Sequence, residues 1–236
     1  MGLKSSRPLP QANDVLDMAP FFQRRFRSWH VDHVSLVMER YRALTKRHCV
    51  DAVGVAAILG IRDEAFIHDL VRLFMPRTPT RVHHMVDAME IVIAIILVCQ
   101  APSMLRRFEA IFDVIDLNGN GSITSADVVT VFGAAARAVM KIFRYAVQPQ
   151  QQDAMFYVRQ ILQAVAVQES TVDKQALCKF LLTDPFAVHY TKLCTGEDKP
   201  KLYILLEKDN EFLGTVEFHT EADMKNISSS CAKGTK

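Results

Sequence analysis

The sequence predicts an all-α protein with two pairs of helix–loop–helix units, at residues 30–100 and 101–190. Two observations predict this fold. Apolar residues recur at helical spacing on both sides of a loop rich in Asp, Asn and Gly at residues 116–127. A Val-Asp pair also stands ahead of an apolar helix at three other places, which indicates an internal repeat.

Length and charge set the first limits. The chain has 236 residues, 50% of them apolar, and a net charge of +2. This is enough apolar material for one large domain or two small ones. The balanced charge gives no indication of a nucleic-acid partner. Four loops with several carboxylates each would make the protein strongly acidic, so we expect most of the loops to hold no metal.

The cysteines and the most apolar segment indicate a soluble protein of a reducing, cytoplasmic compartment. The cysteines are widely spaced, odd in number and without a Cys-x-x-Cys pair, at Cys49, Cys99, Cys178, Cys194 and Cys231. This spacing argues against a disulfide framework or a zinc ribbon. No secretory signal opens the chain. The run Ile91–Cys99 is far shorter than the ~20 residues that span a bilayer, so we expect a buried helix there.

The loop Asp116–Asp127 has the ligand spacing of a calcium-binding loop. Such a loop has oxygen donors at positions 1, 3, 5, 7, 9 and 12, the seventh a backbone carbonyl, and Gly at position 6 for a sharp turn. Gly121 stands at position 6. The donor positions are filled by Asp116, Asn118, Asn120, Ser122 (carbonyl), Thr124 and Asp127. Position 12 usually carries Glu, whose bidentate reach favours Ca²⁺ over Mg²⁺, and here it carries the shorter Asp127.

Two apolar helices flank this loop. The stripe before it consists of Leu105, Phe108, Ile111, Phe112 and Ile115, and the stripe after it of Val128, Val129, Val131, Phe132 and Ala135. Ser125 and Asp127 put a capping residue and an acid at the start of the second helix, where free backbone N–H groups favour both. The whole segment therefore has the form of an EF-hand, a helix, a calcium loop and a second helix.

Three other segments repeat this arrangement without its ligands. Ile123 is position 8 of the loop, and Val50, Val86 and Val172 stand at the equivalent place ahead of other apolar helices. The four candidate loops are Ala43–Gly54, Pro79–Glu90, Asp116–Asp127 and Val165–Ala176. The second keeps a carboxylate at position 12 in Glu90 but has Arg81 at a ligand position. We expect these three loops to keep the helix geometry without metal; the alternative is a set of unrelated amphipathic helices.

On these residues the chain resembles the EF-hand superfamily, and within it four-EF-hand proteins such as calcineurin B, the neuronal calcium sensors and calaxin. The segment Phe108–Phe132 carries the specific likeness. The resemblance implies two lobes of paired EF-hands and a hydrophobic groove that binds a helix of a partner protein, with no chemistry of its own. It implies one Ca²⁺ site, with Mg²⁺ as an alternative because of Asp127. The empty loops depart from the family pattern and argue against a large calcium-driven opening.

The N-terminal extension, residues 1–29, carries a lipidation pattern. Met-Gly-Leu-Lys-Ser-Ser fits myristoylation of Gly2, a modification that calcium sensors of this group commonly carry. One myristoyl chain binds membrane only marginally, so a second signal is needed. Basic residues interleaved with aromatic ones are the candidates, namely Lys4, Arg7, Arg24, Arg25 and Arg27 with Phe21, Phe22, Phe26 and Trp29. The alternative is that these aromatic residues pack on the first helix pair.

Other signals are weaker. His83 and His84 lie beside Asp87, but a histidine pair without further His or Cys indicates ordinary surface more often than a metal site. We find no nucleophile-elbow signature and expect no enzyme.

In the C-terminal tail, residues 191–236, the β-prone runs Leu202–Leu206 and Phe212–Phe218 predict a short hairpin. The alternative is an apolar tail that covers the groove.

The leading functional prediction is a calcium-tuned, regulatory adaptor of the cytoplasm, associated with membrane if Gly2 is acylated. The alternative is a constitutive structural subunit of a ciliary or cytoskeletal assembly, whose site holds Mg²⁺ or nothing.

Overall fold

Helices make up most of the structure, a computed structural model that describes residues 19–44, 49–76, 85–143, 161–163, 165, 171–195, 204–208 and 211–216. At residues 186, 189, 190 and 193 and from 204 onward the description covers the backbone only. The helices are α1 Pro20–Phe26, α2 Val31–Leu44, α3 Ala52–Leu59, α4 Glu64–Phe74, α5 Ala88–Val98, α6 Met104–Ile115, α7 Ser125–Ile142, α8 Lys174–Thr183 and α9 Pro185–Thr195. The strands are β1 Cys49–Val50, β2 Val86–Asp87, β3 Ser122–Thr124, β4 Thr171–Asp173, β5 Ile204–Lys208 and β6 Glu211–Val216.

Helix α5 occupies the centre of the helical part. Every one of its residues is buried, since the sequence Ala-Met-Glu-Ile-Val-Ile-Ala-Ile-Ile-Leu-Val is apolar on all sides except at Glu90. A helix that is apolar all round must be covered all round. It packs against α1, α2, α6, α7 and α9. The predicted buried helix at Ile91–Cys99 is therefore confirmed.

Short antiparallel bridges join the loops in pairs. In the first, β1 pairs with β2 and Val50 lies opposite Val86. In the second, β3 pairs with β4 and Ile123 lies opposite Val172. The four apolar residues that the sequence repeat singled out are thus paired, first with second and third with fourth.

Helix α1 packs its aromatic side chains into the helical part. Phe22 and Phe26 are fully buried. The Phe26 ring lies 5.7 Å from that of Phe66 in α4, and the Phe22 ring lies 6.0 Å from that of Phe74. The aromatic residues of α1 therefore pack on the helices, which was the alternative to a membrane-binding cluster. The neighbouring Arg24, Arg25 and Arg27 remain exposed.

The chain contacts divide it into two units. Asp17–Asp198 is the helical unit, and the second unit includes β5 and β6. These two strands form an antiparallel hairpin in which Ile204 lies opposite Val216 and Lys208 opposite Glu211.

Among the described residues, none of the helices has both the length and the apolar character required to cross a bilayer.

Candidate metal centre

The carboxylate of Asp116 is held inside its own loop. Asp116 ends α6 and is 5% exposed. Its Oδ1 accepts a hydrogen bond from the Asn120 backbone N–H at 3.3 Å, and its Oδ2 accepts one from that of Gly121 at 2.9 Å. Asn120 Oδ1 accepts in turn from the Ser122 N–H at 2.9 Å. The backbone of the loop therefore wraps around oxygen atoms of positions 1 and 5.

Two glycines make this wrapping feasible. Gly119 and Gly121 have φ angles of 65° and 75°, in the left-handed region that a side chain disfavours. No heavy atom lies within 4 Å of a Cβ built on either residue, so the requirement for Gly comes from the backbone angle and not from crowding. The sharp turn predicted at position 6 is present at Gly121.

At the other end of the loop, Asp127 is bound to Thr124. Asp127 Oδ2 accepts from the Thr124 hydroxyl at 2.7 Å and from its backbone N–H at 2.9 Å, and the Asp127 N–H donates to Thr124 Oγ1 at 3.2 Å. This is a capping box, so the cap of α7 is Thr124 and the prediction of Ser125 as the capping residue is wrong. Ser125 is the first helical residue instead. The carboxylate at position 12 thus stabilises the start of α7.

The residue after each bridged apolar residue caps the next helix. The side chains of Asp51, Asp87, Thr124 and Asp173 accept from backbone N–H groups at the starts of α3, α5, α7 and α8. All four are position 9 of their candidate loops. A residue that caps a helix N-terminus needs a short side chain with an oxygen acceptor, which Asp and Thr supply. The four segments therefore share this helix cap in the structure as well as the apolar residue in the sequence.

The third and fourth loops share a core. Ile123 and Val172 are buried among side chains of α6 and α8, which include Phe108, Phe112 and Leu177. The Gly121 carbonyl oxygen accepts from the Lys174 N–H at 3.0 Å. The candidate metal loop is therefore fastened to the fourth loop by backbone hydrogen bonds and by packing.

The donor set suits a hard cation. The six predicted ligands supply carboxylate, amide, hydroxyl and carbonyl oxygens and no nitrogen or sulfur, the chemistry that Ca²⁺ and Mg²⁺ prefer. The inward carboxylate of Asp116 fits such an ion. Asp127 would have to leave Thr124 to bind one. Asn118 is exposed beside these residues. In the part of the chain that the structure describes, no cluster of three or more His, Cys, Asp and Glu side chains is placed to hold a metal.

Several predicted features fall outside the described residues. Gly2 and the basic residues Lys4 and Arg7 do, as do His83 and His84. Parts of the other candidate loops, residues 45–48, 79–84 and 166–170, also do. The first helix pair has a shallow apolar depression between α3 and α5, which is too small to hold a water molecule. It is lined by Val55, Ile58, Leu59, Ala88, Ile91 and Val92.

One cluster was not predicted from the sequence. Glu90 is 3% exposed, and its carboxylate accepts hydrogen bonds from Arg137 and Lys141 of α7. Lys141 is itself 8% exposed. A charged residue inside an otherwise apolar run is a signal that could have indicated a buried ion pair, because an unpaired buried charge is very costly.

No protein-family model matches this sequence, and no curated protein matches it.

Proposed function

We propose that the chain is a four-EF-hand protein that binds a single Ca²⁺ in the Asp116–Asp127 loop. The observation that carries the proposal is the pairing of Ile123 with Val172, together with Val50 opposite Val86. Position 8 of each candidate loop meets position 8 of its neighbour. This pairing, the positive φ of Gly121 and the buried carboxylate of Asp116 support an EF-hand arrangement with one retained site.

The ligands would be Asp116, Asn118, Asn120, the Ser122 carbonyl, Thr124 and Asp127. Only two of them are carboxylates, and the charge count of the ligands sets the affinity. We expect a dissociation constant on the order of 10⁻⁵ M or weaker, at the weak end of the sensor range. The protein would act as an adaptor that binds a helical segment of a partner through apolar side chains, with Ca²⁺ adjusting that binding.

Isothermal titration calorimetry with Ca²⁺ and Mg²⁺ tests the metal site. The protein should bind one equivalent of Ca²⁺, and Asp116→Ala should abolish the binding. The matched control is Asp69→Ala, which removes an exposed carboxylate from α4 and should leave the binding unchanged. Unchanged calcium heats in Asp116→Ala would refute the proposed site.

The hydrogen bonds between Asp127 and Thr124 favour a second candidate function. A carboxylate already committed to a helix cap is less available to a cation, which suits a constitutive structural subunit with Mg²⁺ or no ion. In that case the calorimetry would show equal binding of both ions or none. Capture of the partner would then be the same with calcium and with a chelator.

Membrane association through Gly2 is the last part of the proposal. Protein made together with an N-myristoyltransferase should gain the mass of one myristoyl group, and Gly2→Ala should not. Co-sedimentation with anionic vesicles should then require both the lipid and the basic residues near the N-terminus. No mass gain would eliminate the anchor.

A further inference from the structure

The buried Glu90 carboxylate is paired with two cations of another helix. Glu90 lies in the first turn of α5, while Arg137 and Lys141 lie one turn apart on α7. Both carboxylate oxygens accept a hydrogen bond. Oε1 accepts one from Arg137 Nε, and Oε2 accepts one from Lys141 Nζ. Arg137 also lies 3.5 Å from the Asp87 carboxylate at the cap of α5. The start of α5 is thus held by two positive charges.

The Lys141 ammonium also holds the end of α4. Its Nζ donates to the Phe74 carbonyl oxygen at 2.8 Å and lies 5.8 Å from the centre of the Phe74 ring. Phe74 is the last residue of α4, where carbonyl groups lack helical partners and the helix dipole favours a cation. One buried ammonium therefore joins the end of the helix before the second candidate loop to the start of the helix after it.

This is the task that a bound metal performs in an intact loop. Glu90 is position 12 of Pro79–Glu90, the place of the bidentate carboxylate in a calcium loop. The rest of that loop offers Pro79, Arg81 and His83 at positions 1, 3 and 5. We propose that Lys141, assisted by Arg137, is an internal cation that replaces the metal of the second loop and holds α4 and α5 together without it. This inference rests on the loop assignment in the proposed function, and it does not require that the third loop binds metal.

The cation comes from the second helix pair and ties the first pair to it. Lys141 and Arg137 belong to α7, the helix that leaves the Asp116–Asp127 loop. The first helix pair is then fixed permanently by a side chain of the second pair, and calcium would act on a protein whose α4–α5 arrangement does not respond to it.

A double-mutant cycle with Glu90→Gln and Lys141→Met, melted in a chelator, tests the internal cation. Lys141→Met should lower the unfolding midpoint by about 10 °C, because it leaves a buried carboxylate short of a partner. The double variant should melt above Lys141→Met, since the uncompensated charge is gone. Lys141→Arg should melt close to the unmodified protein. The matched control Lys179→Met, an exposed lysine of α8, should change the midpoint little.

Hydrogen exchange locates the effect. In the chelator, amides of α4 and α5 should lose protection in Lys141→Met, and addition of Ca²⁺ to the unmodified protein should leave their protection unchanged. A double variant that melts at or below Lys141→Met, or an α4 and α5 that gain protection with Ca²⁺ as much as α6 and α8, would overturn the proposal. If Lys141→Met does not fold, a folded double variant still supports it and an unfolded one refutes it.

The melting and exchange in chelator do not depend on the third loop. Failure of calcium binding in the calorimetry would overturn the metal proposal and leave these results unchanged, so the two failures can be told apart.

Discussion

The guanidinium of Arg42 donates a hydrogen bond to the backbone carbonyl oxygen of Asp113 at 2.6 Å. Arg42 belongs to α2 of the first helix pair, and Asp113 lies in the last turn of α6, just before the candidate metal loop. The same nitrogen lies 3.4 Å from the carbonyl oxygen of Asp116. A positive side chain of one helix pair therefore caps the helix that leads into the candidate metal loop of the other, where unsatisfied carbonyl groups favour a cation.

Replacing Arg42 with Met should remove this cap and keep the aliphatic part of the side chain. Because Arg42 is exposed, we expect a loss of only about 1 kcal/mol in the free energy of unfolding. Urea denaturation in a chelator measures it. Arg62→Met, at an exposed arginine between α3 and α4, is the control, and an equal loss there would contradict a specific role for Arg42.

Asp127→Glu should raise calcium affinity by roughly tenfold and improve the preference for Ca²⁺ over Mg²⁺, because Glu at position 12 reaches the ion with both oxygens. Without metal, the start of α7 should keep its cap, since Glu is the usual partner of Thr in a capping box. Calorimetry with both ions measures the change. Asp127→Asn should lower the affinity, and a variant series without any change in affinity would show that position 12 is not a ligand.

Gly121→Ala should destabilise the protein by about 1 kcal/mol, since an L-residue must adopt the positive φ of 75°. Open space around the built Cβ leaves the backbone as the only source of strain. Gly121→Asn should be milder, because Asn tolerates the left-handed region. Thermal melting of both variants gives the comparison, and an Asn variant that is no milder than Ala would contradict a backbone origin.

Buried thiols should make the protein less stable at alkaline pH, and burial raises the pKa of Cys99 as well as those of Cys178 and Cys194. Burial raises the pKa of the Cys178 thiol to about 11 and that of the Cys194 thiol to about 12. The Arg107 charge opposes the second shift. The unfolded chain loses these protons first, from near pH 9, so stability falls as the pH rises from there towards the folded values.

Unfolding midpoints measured between pH 8 and pH 10.5 in a reducing buffer should therefore decline less in Cys194→Ala than in the unmodified protein. Cys49→Ala is the control, because Cys49 is exposed. A Cys194→Ala profile that declines as steeply as the unmodified one would exclude this thiol as a source of the pH dependence.

Thiol reagents should modify Cys49 in the folded protein and reach Cys99, Cys178 and Cys194 only after unfolding.

Local features were predictable from single segments. The helices on both sides of residues 116–127, the buried helix α5 and the turn at Gly121 each depend on periodicity or on one backbone angle. The cap of α7 was misassigned by one residue, because Thr124 and Ser125 have similar capping propensity and only the bonds with Asp127 distinguish them. The hairpin of β5 and β6 followed from β-prone runs on either side of a turn.

Contacts between distant segments were harder to predict. Periodicity identifies the apolar face of α1 but not whether Phe22 and Phe26 meet a membrane or α4, since both surroundings are apolar. The partners of Glu90 depend on where α7 lies against α5, a position that no pattern within either helix encodes.

The spacing of the oxygen donors, the repeat of the apolar residues at position 8 and the presence of the buried central helix could be read from the sequence, because each depends on neighbours along the chain. The bonds between Asp127 and Thr124 were seen in the structure alone, and the place of Lys141 between Phe74 and Glu90 depends on how distant helices pack. A buried charge must be neutralised by whichever cation the packing of helices brings to it, and here Lys141 comes from α7, the helix that follows residues 116–127.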